Sequence, residues 1–272
     1  MQQEYIQALI AQTEPDGRIK AAWLAGSFGR GNADRYSDLD IHLLLDESDL
    51  HDFKASVEAW LSRIRPLVLF NLLFNDTMVN ALTEDGLRLD VWLHGEKLVS
   101  VDPAKTQILF QTGNVVQYEH VAEPRDPSTV AKVLLRQTKE FWRCISLLPP
   151  VVGRKELIVA FAGLTVETNI LTDVLISGYG IARESGVKRL NVFLPDDIRQ
   201  SIEDALSMQD LSQVSLAEAQ MKLARIMEEH GRIIAAKHSY PYPDELEAAV
   251  LGYVHKELAL LGLDTAFPSS DA

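Results

Sequence analysis

Asp38 and Asp40 are the residues whose type and spacing point most directly to chemistry. One residue separates them, and they lead into residues 41–45, which are apolar except for His42. Side chains alternate between the two faces of a strand, so an extended segment places Asp38, Asp40 and His42 together on one face. Two ionised carboxylates this close repel each other unless a cation neutralises them. Mg²⁺ prefers hard oxygen ligands and commonly binds one or two carboxylates together with substrate phosphates.

A glycine-rich turn at residues 25–31 stands just before the carboxylates. Gly26, Gly29 and Gly31 permit positive φ and a close approach of the backbone to a ligand, and Ser27 offers a hydroxyl and an amide to a phosphate oxygen. Either feature alone is common in loops and hairpins. Their fixed order of strand, turn and carboxylate strand predicts a phosphate and metal site, of the kind used in phosphoryl or nucleotidyl transfer.

The segment Gly26-Ser27, followed by a short glycine-containing spacer and Ser37-Asp38-Leu39-Asp40, resembles the polymerase-beta-type nucleotidyltransferase superfamily. The resemblance covers residues 18–93. The length of the chain and its helical second half are most similar to the antibiotic nucleotidyltransferases, which adenylylate aminoglycosides or lincosamides. The resemblance implies that Gly26 and Ser27 bind nucleotide phosphates, with Arg30 and Ser37 as further nucleotide-binding candidates. A solvated loop arginine explains Arg30 equally well.

The family pattern requires a third carboxylate from a later strand. The segment 87–93 alternates, with apolar residues at its odd positions, which leaves Arg88, Asp90 and Trp92 on the other face. Asp90 is therefore the expected third metal ligand, although an exposed acid on an edge strand is the alternative interpretation.

The expected reaction transfers AMP from ATP to an acceptor hydroxyl and releases pyrophosphate. Two Mg²⁺ ions can clamp the attacking and leaving oxygens of such an in-line displacement. Asp38 and Asp40 would hold both ions, while Asp90 would hold the catalytic ion and could accept the hydroxyl proton.

Glu167 is the competing candidate for the general base, because some antibiotic nucleotidyltransferases take a glutamate from the helical domain. It lies in the strongly apolar stretch 157–176, which predicts a helix buried nearly all round. A carboxylate there should be paired, neutralised or facing a cavity, and a satisfied hydrogen bond in the core is the alternative to a catalytic role.

The chain changes character near residue 120, which predicts an α+β protein. Residues 1–120 would form a mixed-sheet nucleotidyltransferase catalytic domain, and residues 121–272 an all-α helical bundle that binds the substrate. A linker is expected at 119–127 and a loose tail at 264–272. The expected strands are 18–25, 39–45, 66–73, 77–82 and 87–93, and the expected helices are 3–13, 49–62, 128–148, 154–178, 195–207, 214–238 and 242–262.

The composition of the chain limits the classes of molecule that it is expected to bind. The 272 residues carry 26 basic and 39 acidic side chains, a formal net charge of −13. This acidity disfavours a nucleic-acid substrate and slightly favours a cationic small-molecule acceptor. The start of the chain has no signal-peptide pattern, and the apolar runs are expected to be too short to span a bilayer, so a cytoplasmic protein without a membrane partner is expected.

Three functional classes remain open. The leading class is a small-molecule nucleotidyltransferase, most similar to the antibiotic enzymes. A regulatory transferase or antitoxin that adenylylates a protein is the second, and a non-catalytic nucleotide-binding protein is the third. Related transferases sometimes share an active site across a homodimer, in which case Glu167 could act on the neighbouring subunit.

Overall fold

A computed structural model describes residues 1–120, 126–181 and 189–263. The chain divides into two compact units, Met1–Glu123 and Pro124–Ala272, called unit 1 and unit 2 below. The expected tail at 264–272 and the central part of the expected linker at 119–127 lie outside the described residues.

Unit 1 contains three α-helices, one short 3-10 helix at Pro103–Lys105 and eight strands among its described residues. In chain order the α-helices and strands are α1 Gln2–Thr13, β1 Ile19–Leu24, α2 Gly26–Gly29, β2 Leu39–Leu45, α3 Glu47–Ser62, β3 Leu67–Leu73, β4 Met78–Thr83, β5 Arg88–His94, β6 Val99–Val101, β7 Gln107–Gln111 and β8 Val116–Tyr118.

Six of these strands form one mixed sheet in the order β3-β4-β5-β2-β1-β7. β2 and β5 run parallel at its centre, and the other neighbouring pairs are antiparallel. β6 and β8 form a separate parallel pair. Because β2 and β5 are adjacent, the carboxylate strands found by sequence lie side by side.

Alternation along the strands separates the two faces of the large sheet. The odd-numbered residues of β2 are fully buried, as are Leu89 and Val91 of β5, and they join a core with α1 and α3 that includes Phe53 and Trp60. The opposite face carries the polar and aromatic side chains of β2 and β5 and is called the carboxylate face. The core thus fixes the register that points Asp40 and Asp90 away from it.

The described residues of unit 2 form helices joined by loops, without a strand, and they pack around an apolar core of their own. Asp126 caps the first helix by accepting hydrogen bonds from the amides of Ser128 and Thr129 at 3.3 and 3.1 Å, and Pro127 is its first residue. The helices are α4 Pro127–Ile145, α5 Leu148–Gly153, α6 Leu157–Gly178, α7 Asp196–Leu206, α8 Gln213–Lys237 and α9 Asp244–Leu260.

The α+β prediction is confirmed, and the differences are local. The expected helix 128–148 ends at Ile145, and Leu148–Gly153 forms a short helix of its own. Pro149 and Pro150 explain the break, since neither can donate a hydrogen bond to continue α4. The short helix α2 and the strands β6, β7 and β8 were not expected from sequence.

The expectation that every apolar run is too short to span a bilayer is wrong. Helix α6 is long and apolar enough to cross a bilayer by length and composition alone. The core helix of a soluble protein can have the same length and composition, and Leu164, Leu171 and Leu175 of α6 lie in the core of unit 2. Length and composition alone therefore say little about a membrane here.

Candidate active site

Gly26 lies in direct contact with Asp40. Its φ of +57° is in the left-handed region, and a Cβ built on it would stand 1.7 Å from Oδ2 of Asp40. Any other residue would displace the carboxylate as well as strain the turn. The glycine predicted as a phosphate-turn residue therefore also makes room for the second aspartate.

Ser27 follows in the first turn of α2. The N–H groups of a first helical turn have no partner within the helix, so α2 leaves backbone donors at this turn. The Ser27 hydroxyl is buried and has no hydrogen-bond partner among the described residues. A buried hydroxyl without a partner is costly, and a phosphate oxygen is a suitable acceptor for it.

Asp40 and Asp90 are directly paired in the parallel ladder between β2 and β5. Their side chains therefore lie next to each other on the carboxylate face, and both residues are half-buried. Asp38 is also half-buried and stands immediately before the first residue of β2. The tertiary structure thus brings Asp90 to the pair that the sequence spacing predicted.

Asn80 of β4 is the direct partner of Asp90 on the other side. Its Nδ2 donates a hydrogen bond to Oδ1 of Asp90 at 2.7 Å. Asn71 of β3 is in turn paired with Asn80, so a polar row of Asn71, Asn80, Asp90 and Asp40 crosses four neighbouring strands. The amide of Asn80 orients the Asp90 carboxylate and leaves Oδ2 for another partner.

His42 lies one step beyond Asp40 on the same face. Its Nδ1 is 2.9 Å from Nε2 of His94, and its ring stacks with Trp23 and Trp92. Burial, with a smaller contribution from His94, lowers the pKa of His42 to about 3. His42 therefore belongs to a stacked and hydrogen-bonded cluster of rings, in which burial disfavours its charged form.

The two remaining nucleotide-binding candidates belong to the loop between α2 and β2. The Ser37 hydroxyl accepts a hydrogen bond from the Asp34 amide at 2.9 Å and donates one to Oδ1 of Asp34 at 3.2 Å. These bonds close the loop and engage the hydroxyl. Arg30 is half-buried at the C-cap of α2. A phosphate contact by either residue stays a prediction.

Glu167 lies on α6 of unit 2, and only 2% of its surface is exposed. Burial raises the pKa of its carboxyl to about 8. Its Oε2 atom is buried without a hydrogen-bond partner in the part of the chain that the structure describes. The satisfied core hydrogen bond considered from sequence is therefore missing on this oxygen, and the carboxyl is largely protonated at neutral pH.

The chemistry of the donors on the carboxylate face suits Mg²⁺, since Asp38, Asp40 and Asp90 offer only hard oxygen ligands. The side chains as they stand do not form a closed cluster: among residues 1–120, 126–181 and 189–263, no group of three or more His, Cys, Asp and Glu is arranged to hold a metal ion. The paired register of Asp40 and Asp90 fits a cation, whereas the complete three-carboxylate set stays a prediction.

A mixed sheet with paired carboxylates and a glycine–serine turn on one face defines a nucleotidyltransferase, an enzyme class that the comparisons support. The chain belongs to the streptomycin adenylyltransferase family, whose model matches residues 1–257. That match spans both units. It confirms the resemblance to antibiotic nucleotidyltransferases, which was drawn from the length of the chain and its helical second half. No curated protein matches the chain in sequence.

Several solved structures are similar to the chain at low sequence identity. The aminoglycoside 6-adenyltransferase from Bacillus subtilis is 14% identical, with 94% of this chain and 96% of that chain covered and a TM-score of 0.45. The CdnE cyclic dinucleotide synthase from Elizabethkingia meningoseptica is 14% identical, with coverages of 96% and 90% and a TM-score of 0.27. A CdnE c-di-GMP synthase from Capnocytophaga granulosa is 12% identical, with coverages of 88% and 81% and a TM-score of 0.30. At these values none of them assigns a substrate to this chain.

Sequence reasoning missed Asn80 as the partner of Asp90. A signal was available, because Asn80 is a polar residue in the middle of the apolar strand Met78–Thr83. The register that brings it opposite Asp90 depends on the pairing of β4 with β5 and could not be read from that strand alone.

Proposed function

We propose that this chain is an Mg²⁺-dependent adenylyltransferase that moves AMP from ATP to a hydroxyl of a small molecule, an aminoglycoside antibiotic in the first instance. The observation that carries the proposal is the pairing of Asp40 with Asp90 beside the Gly26 turn. Membership of the streptomycin adenylyltransferase family favours an aminoglycoside over a lincosamide. The net charge of −13 agrees with a cationic acceptor.

The glycine turn would bind the nucleotide. The amide and hydroxyl of Ser27 would donate hydrogen bonds to phosphate oxygens, while Gly26 lets the chain pass close to Asp40. Donors that are already aimed at the developing charge need little reorganisation in the transition state. Arg30 and Ser37 are secondary candidates for the same phosphates.

The carboxylates would hold the metal and handle the proton. Asp38, Asp40 and Asp90 are the ligands proposed for two Mg²⁺ ions, which when bound supply positive charge to the attacking and leaving oxygens. Asp90 would accept the proton of the acceptor hydroxyl, whose oxygen bonds to the α-phosphorus as the bond to pyrophosphate breaks. The amide of Asn80, bonded to Oδ1 of Asp90, keeps that carboxylate in place.

Glu167 is the competing base. Its raised pKa of about 8 means that it holds a proton through most of the neutral range, which suits a general acid or a buried neutral group better than a base. We therefore favour Asp90 for this role.

Unit 1 is proposed as the catalytic domain and unit 2 as the acceptor-binding domain. We retain a cytoplasmic location and the absence of nucleic-acid and membrane partners as predictions. A homodimer is also retained as a prediction, and gel filtration of the purified chain is its test.

A transfer assay tests the proposal. The purified chain is incubated with Mg²⁺ and ATP labelled on the α-phosphate, in turn with aminoglycosides, lincosamides and candidate proteins. Label on an aminoglycoside is the expected result. Asp40→Asn should reduce transfer by about 1,000-fold or more, since it removes several kcal/mol of charge stabilisation from the transition state. Asp52→Asn, at an exposed position on α3, is the matched control and should transfer at the wild-type rate.

The same assay separates the other classes. Label on a protein would indicate a regulatory transferase or antitoxin, and ATP binding without any transfer a non-catalytic nucleotide-binding protein. Equal transfer by wild type and Asp40→Asn would rule out the proposed metal mechanism.

A further inference from the structure

The carboxylate face continues beyond Asp90 onto β4, where Asn80 is half-buried and Met78 is buried, and onto β3, where Asn71 and Leu73 are exposed. Next to the polar row lies an apolar row in which Leu73, Met78 and Trp92 are neighbours across β3, β4 and β5. Leu73 is 43% exposed although it is a leucine in a strand. Unit 1 thus carries an open, partly apolar surface that borders its candidate catalytic carboxylate.

Phe74 ends this apolar row in an unusual conformation. Its φ is +51°, and Asn75 and Asp76 follow at +55° and +60°. Phe74 is 67% exposed, yet its ring lies nearly parallel to that of Trp92, with a centroid distance of 5.8 Å and an interplanar angle of 13°. A left-handed conformation is unfavourable for an aromatic residue, and an exposed ring recovers little of that cost by burial. The strain therefore points to a role other than stabilising the fold.

The geometry of the proposed reaction indicates where the acceptor approaches the site. In an in-line displacement, the attacking oxygen enters on the side opposite to the leaving group. The Gly26 turn, which is proposed to bind the phosphates of the leaving pyrophosphate, contacts Asp40. Asp90 is the next strand along, and β4 and β3 lie beyond it. The acceptor should therefore approach over β5, β4 and β3.

We propose that one ring of the acceptor stacks on the Phe74–Trp92 pair. The surface of unit 1 formed by Asn71, Leu73, Phe74 and Trp92 is called the acceptor surface, and it binds this ring in addition to the contacts proposed for unit 2. This inference rests on the proposed function. The chemistry of the surface fits a saturated, hydroxylated ring: its C–H face packs on the aromatic rings, and the Asn71 amide offers a donor and an acceptor to its polar substituents. A ring that carries an ammonium group gains further attraction from the aromatic faces.

The test compares substitutions at Phe74 with a matched control. Phe74→Gly should raise the KM for the acceptor by about three- to tenfold, the range expected for loss of one aromatic contact, while the KM for ATP stays within about twofold. Because glycine accepts positive φ, the melting temperature of Phe74→Gly should be no lower than that of wild type. Phe74→Tyr should restore the wild-type KM. Val68→Ala, 64% exposed on the same strand at an irregularity of its pairing, should change neither KM.

Calorimetry without ATP separates failure of this inference from failure of the proposed function. If wild type transfers AMP to no compound but still binds one that Phe74→Gly fails to bind, the acceptor surface stands and the proposed reaction does not. Equal binding by the two proteins, or no binding by either, would overturn the acceptor surface. A raised KM for ATP in Phe74→Gly would show that the Phe74–Trp92 pair binds the nucleotide and not the acceptor. A wild-type dimer that dissociates in Phe74→Gly would show that the acceptor surface is an interface between two copies of the chain. Either result would overturn the inference.

Discussion

Two acidic side chains that both qualified as the general base occupy opposite environments. Asp90 is half-buried on the carboxylate face, paired in register with Asp40 and hydrogen-bonded by Asn80. Glu167 is almost fully buried in the helical core of unit 2, where burial raises its pKa to about 8. Two neighbouring carboxylates on a half-buried sheet face create a demand for a cation, whereas burial in an apolar core favours the neutral form of a carboxyl.

The contrast also follows from the two kinds of packing. A strand buries every second residue, so one face of β2 and β5 can form the core while the other carries Asp40 and Asp90. Helix α6 contributes Leu164, Leu171 and Leu175 to its core and includes Glu167 among its buried residues. The sheet therefore has a face that can carry the charged carboxylates Asp40 and Asp90, whereas the helical core favours the neutral form of Glu167.

Substitution of Asp90 and Glu167 should have its largest effect on turnover, and only at Asp90. Asp90→Asn should lower kcat by about 100-fold or more, the usual contribution of a positioned acid or base, because asparagine cannot accept the hydroxyl proton. Glu167→Gln should keep kcat within about threefold. Single-turnover transfer rates check both variants, together with Mn²⁺ binding. A loss of turnover in Glu167→Gln with normal metal binding would instead make Glu167 the base.

A smaller effect is expected on stability. The folded-state pKa of Glu167 lies above its unfolded value of 4.5, so the folded protein binds more protons between about pH 5 and 8 and loses stability as the pH rises through that window. The slope from this group is at most about 1.4 kcal/mol per pH unit. Glu167→Gln should remove that slope and be more stable than wild type at pH 8.

Urea unfolding at several pH values measures this difference. Glu245→Gln, an exposed glutamate on α9 of the same unit, is the matched control and should keep the wild-type slope. Parallel stability curves for wild type and Glu167→Gln would contradict the assigned pKa. Cys144 of α4 is the neighbouring titratable group in electrostatic contact with Glu167, so Cys144→Ala should be measured as well.

The smallest effect is expected from removing the hydrogen bond that Asn80 donates to Asp90. Asn80→Ala removes the donor to Oδ1 and should raise the Mg²⁺ concentration for half-maximal activity by about tenfold, as is usual for groups that orient a metal ligand. Mn²⁺ binding should weaken in parallel, while the melting temperature stays near that of wild type. Asn114→Ala, an exposed asparagine of the same unit, serves as the control. Unchanged metal binding in Asn80→Ala would show that Asn80 does not act through Asp90.

Much of unit 1 could be predicted from the sequence because its signals are local. Alternation located β2 and β5, and it placed Asp40 and Asp90 on the face opposite the core. The short strands β6 and β8 were missed, since three residues are too few for a periodic pattern. Phe74 was missed because its stacking on Trp92 depends on a turn conformation that no residue type in 74–76 requires.

The sequence by itself determined the class of chemistry: a glycine–serine turn, a carboxylate pair and a third aspartate in an alternating strand. Only the tertiary structure decided that Gly26 contacts Asp40, that Asp90 is its neighbour and that Asn80 holds Asp90. The physical reason is the distance along the chain between the residues that interact. Face alternation is set by successive residues, whereas strand order, register and the burial that raises the pKa of Glu167 depend on residues far away along the chain.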